Sequence, residues 1–216
     1  MSTSSSPSTG GTPSSGAAPS TGRRMPARDL ALVAVFAALL AALGAIPAFQ
    51  PIASISPITA QTLGVMLAGS IIGARRGALA VVTFLVLVGA GLPLLSGGRG
   101  GLTWLTGKSA GFFIGWVVGA WAIGYLVERR PARWTIGWLV LANAVGGMGI
   151  IYLFGIPGMA LVGKLSIMKA TTLSVVYLPG DALKVIAASV VTAGVLRGYP
   201  GVVPDRRARV KAGTPS

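Results

Sequence analysis

Asp181 and Lys184 stand three positions apart in "YLPGDALKVI", Tyr177 to Ile186, within a run that is otherwise almost wholly apolar. On a helix that spacing puts both side chains on one face, a carboxylate acceptor beside an ammonium donor. A lone charge inside a bilayer costs roughly 2.5 to 3.5 kcal/mol on insertion scales, so such groups face a cavity or each other. Either the two neutralise one another and only close a helix bundle, or they also line a cavity. In the second case they suit a ligand with adjacent N–H and C=O groups, such as an amide, a urea or a lactam.

Other chemistry is scarce. The chain has no Cys and no His, which removes thiol nucleophiles, disulfides, Cys/His metal sites and imidazole acid–base catalysis, and no cofactor is implied. Of its four acids, Asp29 borders the first apolar run, Glu128 sits in "VERRPAR" and Asp205 lies near the C-terminus, leaving Asp181 for work inside a membrane. With no paired carboxylates and no Ser/His or Cys/His set, an enzyme has little support.

The elements that must position this pair follow from hydropathy. The chain is 53% hydrophobic with a mean hydropathy of +0.77, and it carries 18 Lys plus Arg against four Asp plus Glu. Long apolar runs with few acids indicate an integral membrane protein whose basic residues mark one face, rather than a partner of nucleic acid. The runs are Leu30 to Ile46, Ile58 to Gly73, Ala78 to Leu92, Phe112 to Val127, Trp134 to Phe154, and a last one ending near Leu196. Six spans with the N-terminus inside place Arg23, Arg24, Arg28, Arg75, Arg76, Arg129, Arg130, Arg133, Arg197, Arg206, Arg207, Arg209 and Lys211 on the cytoplasmic side. Only Arg99, Lys108, Lys164 and Lys169 fall outside. The expected fold is an all-α membrane protein, a compact bundle of six transmembrane helices over residues 29–197 with both termini cytoplasmic. Residues 1–28, rich in Ser, Thr, Pro and Gly, read as a disordered cytoplasmic tail, and 198–216 as a basic cytoplasmic tail. The segment 155–178 is interrupted by Pro157, Lys164 and Lys169 and is expected to be a re-entrant or interfacial piece.

Small residues recur at spacing four: Ala34, Ala38 and Ala42; Gly69, Gly73 and Gly77; Gly107, Gly111, Gly115 and Gly119. Each stripe lies along one helix face and admits a close neighbour, either within the bundle or on a partner subunit, and the alanines of the first helix are the best candidate for a partner-docking face. "GLTWLTGKS" ends like a phosphate-binding loop, but five residues rather than four separate Gly101 from Gly107, and apolar bulk fills the interval. If the protein drives transport, the energy comes from elsewhere. Arg99 is flanked by Gly97, Gly98, Gly100 and Gly101, so it is either a planar cation presented on a sharply turning loop or a solvated Arg in a plain turn. If Arg197 marks the inner end of the last helix, Asp181 lies about 24 Å away at 1.5 Å per residue, just below the outer boundary of a hydrocarbon layer about 30 Å thick. Pro179 and Gly180 suit a helix start there, with Asp181 in its first turn.

"PITAQTLGVMLAGSIIGARRGALAV", "GLPLLSGGRGGLTWLTGKSAGFFIG" and "YLPGDALKVIAA" resemble, in order and spacing, the BioY family, the biotin-specific membrane components of energy-coupling factor transporters. The resemblance covers roughly residues 28–197 and implies a six-helix protein of the cell membrane that captures biotin from outside. It further implies association with a transmembrane coupling subunit and a pair of cytoplasmic ATPases. The family's biotin site carries over to Asp181 and Lys184; on chemical grounds Asp181 is expected to accept from a ureido N–H and Lys184 to donate to the ureido oxygen or to another acidic ligand. Arg99 and Gln61 are further substrate-binding candidates, Arg99 for the valerate carboxylate, and Trp104 is expected to supply an apolar wall. This chain has "GKSAGF" where "GPTGGY" is the family pattern, so Lys108 adds a cation at the mouth of the site. The competing expectation is a self-sufficient secondary transporter of a vitamin-like substrate with Asp181 as its ion relay.

Overall fold

"QTLGVMLAGSII" is apolar on every side, and a helix of that kind must be covered on every side. It forms α2 (Gln61–Ile72), in which Gly64 to Ile72 are all buried. The computed structural model describes residues 25–48, 58–129, 135–199, 201 and 203. Around α2 pack α1 (Ala27–Gly44), α3 (Ala74–Gly89), α5 (Ala110–Glu128) and α9 (Leu178–Gly198). A short α4 (Thr103–Thr106) precedes α5. The bundle is completed by α6 (Ile136–Ala144), which runs through a π-helical stretch, Val145–Ile150, into α7 (Ile151–Gly163), and by α8 (Ile167–Ser174), which runs through a 3-10 turn, Val175–Tyr177, into α9. No strand occurs among the described residues.

Among the described residues, four helical stretches are long and apolar enough to cross a membrane: Ala27–Gly44, Ala110–Glu128, Ile136–Gly163 and Ile167–Gly198. The expected second and third spans correspond to α2 and α3, with 12 and 16 residues. The expected tails, and with them Arg23, Arg24 and the cations from Arg206 onward, lie almost wholly outside the described residues, as do Arg130, Arg133, Pro51 and Pro57. Arg28 begins α1, and its guanidinium donates to the carbonyl of Gly201 at 3.5 Å, so the two ends of the described chain meet at one end of the bundle.

At that end the acids act locally. Asp29, in the first turn of α1, pairs with Arg76 of α3 at 3.2 Å. Gly73 turns the chain from α2 into α3 with φ 85°, a conformation few other residues adopt. The first N–H of α3, which has no partner within its helix, is then met by a residue far along the chain: buried Glu128 accepts from Ala74 N at 2.7 Å. A carboxylate at a helix start satisfies an orphan donor and complements the helix dipole.

The two kinds of small-residue stripe separate. The glycines face inward: a Cβ on Gly69 would stand 2.6 Å from the carbonyl oxygen of Ala120, one on Gly115 2.9 Å from Cα of Ile151, and one on Gly119 2.7 Å from the oxygen of Gly146. Ala34, Ala38 and Ala42 are all exposed on the outer face of α1.

The segment 155–178, expected to be a re-entrant or interfacial piece, is helical over most of its length. Residues up to Gly163 simply continue α7, with Pro157 inside the helix, and the rest forms α8 and the 3-10 turn leading into α9. A proline removes one helical hydrogen bond, a loss that contacts with neighbouring helices tolerate within a bundle. Here α5 supplies the contact, with Gly158 set so closely that a Cβ would lie 2.6 Å from Cα of Gly111.

Candidate functional site

At the other end of the bundle α2 and α9 begin and α1, α3 and α7 end, and the side chains between them enclose a chamber of about 600 Å³, mouth included. Pro179 has no N–H to continue an α-helical ladder, and the chain meets it with the 3-10 turn at Val175–Tyr177 before α9 proceeds. Asp181 therefore sits in the first turn of α9, as its neighbours foretell, but on a helix that is continuous with the turn before it. Side chains, more than a free helix end, hold its charge.

Lys184 Nζ lies 2.9 Å from Asp181 Oδ1 and donates at 2.9 Å to the hydroxyl of Thr62 on α2. That hydroxyl is 3.4 Å from Asp181 Oδ1 and donates to it. On the other side the phenol of Tyr152, from α7, donates to Asp181 Oδ2 at 2.7 Å. Three helices thus converge on one carboxylate, and both of its oxygens are engaged. All four residues line the chamber.

The remaining lining is mostly apolar and aromatic. Phe112 meets Tyr152 and Tyr177 edge-on, with ring centroids 6.4 Å and 5.9 Å apart, and Phe113 meets Trp116 at 4.9 Å. Gln61 lines the chamber but is 1% exposed, and its amide donates to the carbonyls of Leu40 and Leu94 at 3.3 and 3.2 Å. It pins the end of α1 to the loop after α3. Arg99 stands exposed at the mouth on a tight hairpin: Leu95 and Arg99 exchange backbone hydrogen bonds of 3.0 and 3.2 Å across Gly97 and Gly98, both with positive φ. Its Nε donates to the carbonyl of Ser96 at 3.2 Å.

Trp104 does not line the chamber. The turn of α4 carries its indole behind Phe113, ring centroids 5.5 Å apart, into a separate apolar groove between α3 and α5. Trp116 takes the place expected of it. Thr62 and Tyr152 are the residues that sequence reasoning does not single out. Each bears a hydroxyl within an apolar helix, and a buried hydroxyl needs a partner, which is the one signal that marks them.

Such a site presents an acceptor, several donors and flat apolar walls, fit to hold a small ligand with a compact polar head and an apolar body. A sequence model described as the BioY family matches residues 16–201. A biotin transporter BioY of Rhizobium etli is 45% identical over 191 residues, covering 84% of this chain and 100% of that one. Another, from Rhodobacter capsulatus, is 40% identical over 191 residues, covering 83% and 98%. Among solved structures, the S-component for biotin from an ECF-type ABC transporter superposes with a TM-score of 0.73 at 26% identity, covering 79% of this chain and 91% of that one. A transmembrane-type bundle with this ordered set of motifs, matched nearly end to end by such relatives, belongs to the BioY family.

Proposed function

We propose that this protein is the biotin-binding S component of an energy-coupling factor transporter, a multi-pass protein of the plasma membrane. It takes up biotin in the chamber and delivers it inward with a coupling transmembrane subunit and cytoplasmic ATPases. The observation that carries the reading is the group Asp181, Lys184, Thr62 and Tyr152 at one wall of an otherwise aromatic chamber. Asp181 accepts from a ureido N–H, while Lys184 donates to the ureido oxygen with Tyr152 and Thr62 beside it. Phe112, Phe113 and Trp116 face the fused rings and chain, and Arg99 at the mouth meets the carboxylate. Gln61 serves mainly to shape the wall.

The helices are taken as six spans, α1, α2, α3, α5, α6–α7 and α8–α9, with both termini cytoplasmic and the chamber opening outward. The meeting of Arg28 with Gly201 at one bundle end, together with the positive-inside bias, supports that orientation. The exposed Ala34, Ala38 and Ala42 form the face that docks the coupling subunit, close approach being what small residues permit in a membrane. An ion-relay role for Asp181 has less behind it, since both of its oxygens are already engaged by Lys184, Thr62 and Tyr152. Titration of the purified chain with biotin in detergent, without nucleotide, tests the proposal: saturable binding is expected, and its absence would contradict the ligand assignment. Proton-driven uptake by the chain alone would favour the secondary transporter instead.

A further inference from the structure

The chamber end of the molecule carries Arg99, Lys108, Lys164 and Lys169, all exposed, and among the described residues it has no acid outside the chamber itself. Asp29 and Glu128 lie at the opposite end and Asp181 within the chamber against Lys184, while Asp205 falls outside the described residues. Three of the cations come from separate elements that close on the mouth. Arg99 lines it directly, and Lys108 adjoins the lining residue Ser109. Lys108 also reaches α7, its Cε 3.9 Å from where a Cβ on Gly163 would sit, next to Lys164.

Helix stability does not account for all of this charge. Lys164 closes α7, where a cation complements the dipole. Lys169 does the opposite. Ser166 caps α8 and accepts from Lys169 N at 3.3 Å, so Lys169 occupies the position at which a capping box carries Glu or Gln, at the positive end of the helix. Lys169, on α8 packed beside the end of α7, is thus a cation that its own helix does not favour.

We infer that this cationic rim is an electrostatic funnel that speeds capture of a carboxylate-bearing ligand, acting on the association rate and not on the dissociation rate. The inference rests on the proposed ligand. Rim charges raise the local concentration of an oppositely charged ligand and act through a field that salt screens, whereas contacts inside the chamber set the dissociation rate. The neutral head-group wall, in which Asp181 and Lys184 cancel, contributes little to that field.

Stopped-flow binding to the full chain in a non-ionic detergent tests this, comparing biotin with its uncharged amide at salt concentrations of about 10 mM and 150 mM, where the screening length falls from about 30 Å to about 8 Å. Biotin should associate about fivefold faster at low salt, while the amide changes little. Lys169→Glu, which restores capping-box chemistry to α8, should leave thermal stability equal or higher yet slow biotin association about twofold or more at low salt, with the dissociation rate unchanged. Rates that ignore salt, or that change equally for biotin and its amide, would overturn the funnel while leaving biotin binding intact. Failure of the wild-type chain to bind biotin at all would instead remove the ligand assignment and the inference with it.

Discussion

Asp181 is 5% exposed, and a carboxylate so enclosed is tolerable only with partners. Its bond from Tyr152, at 2.7 Å, joins α7 to α9, and a hydrogen bond to a charged group contributes about 1.5–3 kcal/mol. Tyr152→Phe keeps the ring against Phe112 and removes only that donor, so it should weaken biotin binding about tenfold and lower the melting temperature measured in detergent. An unchanged affinity would separate Tyr152 from the ligand's polar head. The pairing of Asp181 with Lys184 was legible because three residues on a helix fix a shared face. Thr62 and Tyr152 were not, since they reach Asp181 across 119 and 29 residues, and no local spacing encodes such contacts. Trp104 lies outside the chamber for a related reason. Its position in the loop gave the neighbourhood, but the turn of α4 decides on which side of Phe113 the indole lies.

Helix α3 starts directly after the turn at Gly73 without a side chain of its own to cap it, and Glu128 at the end of α5 serves that purpose. Removing it strands a buried N–H. Glu128→Ala is therefore expected to lower stability by about 1–3 kcal/mol, read as a fall in melting temperature, with Glu128→Gln milder because its amide oxygen still accepts. Equal melting temperatures for wild type and Glu128→Ala would refute the capping role. Most of the elements could be seen beforehand as apolar runs, and α2 stands out as the one covered on all sides. The course of 155–178 could not, because Pro157 and the two lysines read as breaks. Helix α7 nevertheless continues past Pro157 under the close packing of Gly111 and Gly158, and Lys164 ends it in a left-handed turn with φ 50°. Glu128, which in the sequence merely follows the run Phe112 to Val127, acquires its use only when the turn at Gly73 is brought beside it.

For the molecule as a whole, the two ends differ in charge and in role. The chamber end gathers cations around a ligand site, and the other brings Arg28, Asp29, Arg76 and Glu128 together in structural contacts. Along its side, the exposed alanines of α1 leave a smooth face while the glycine stripes are used up inside. Ala38→Leu adds bulk to that face without touching the chamber. It should leave biotin affinity within twofold of wild type and reduce both co-purification with the coupling subunit and biotin uptake about tenfold or more. Intact assembly and uptake would move the docking surface elsewhere. The central claim is that Asp181 and Lys184 hold the ligand's polar head, and equilibrium titration of biotin into purified wild type, Asp181→Asn and Lys184→Ala, without nucleotide, tests it most directly. Both substitutions are predicted to weaken binding at least about tenfold, the scale of one charge-assisted hydrogen bond; wild-type affinity retained in both folded variants would contradict it.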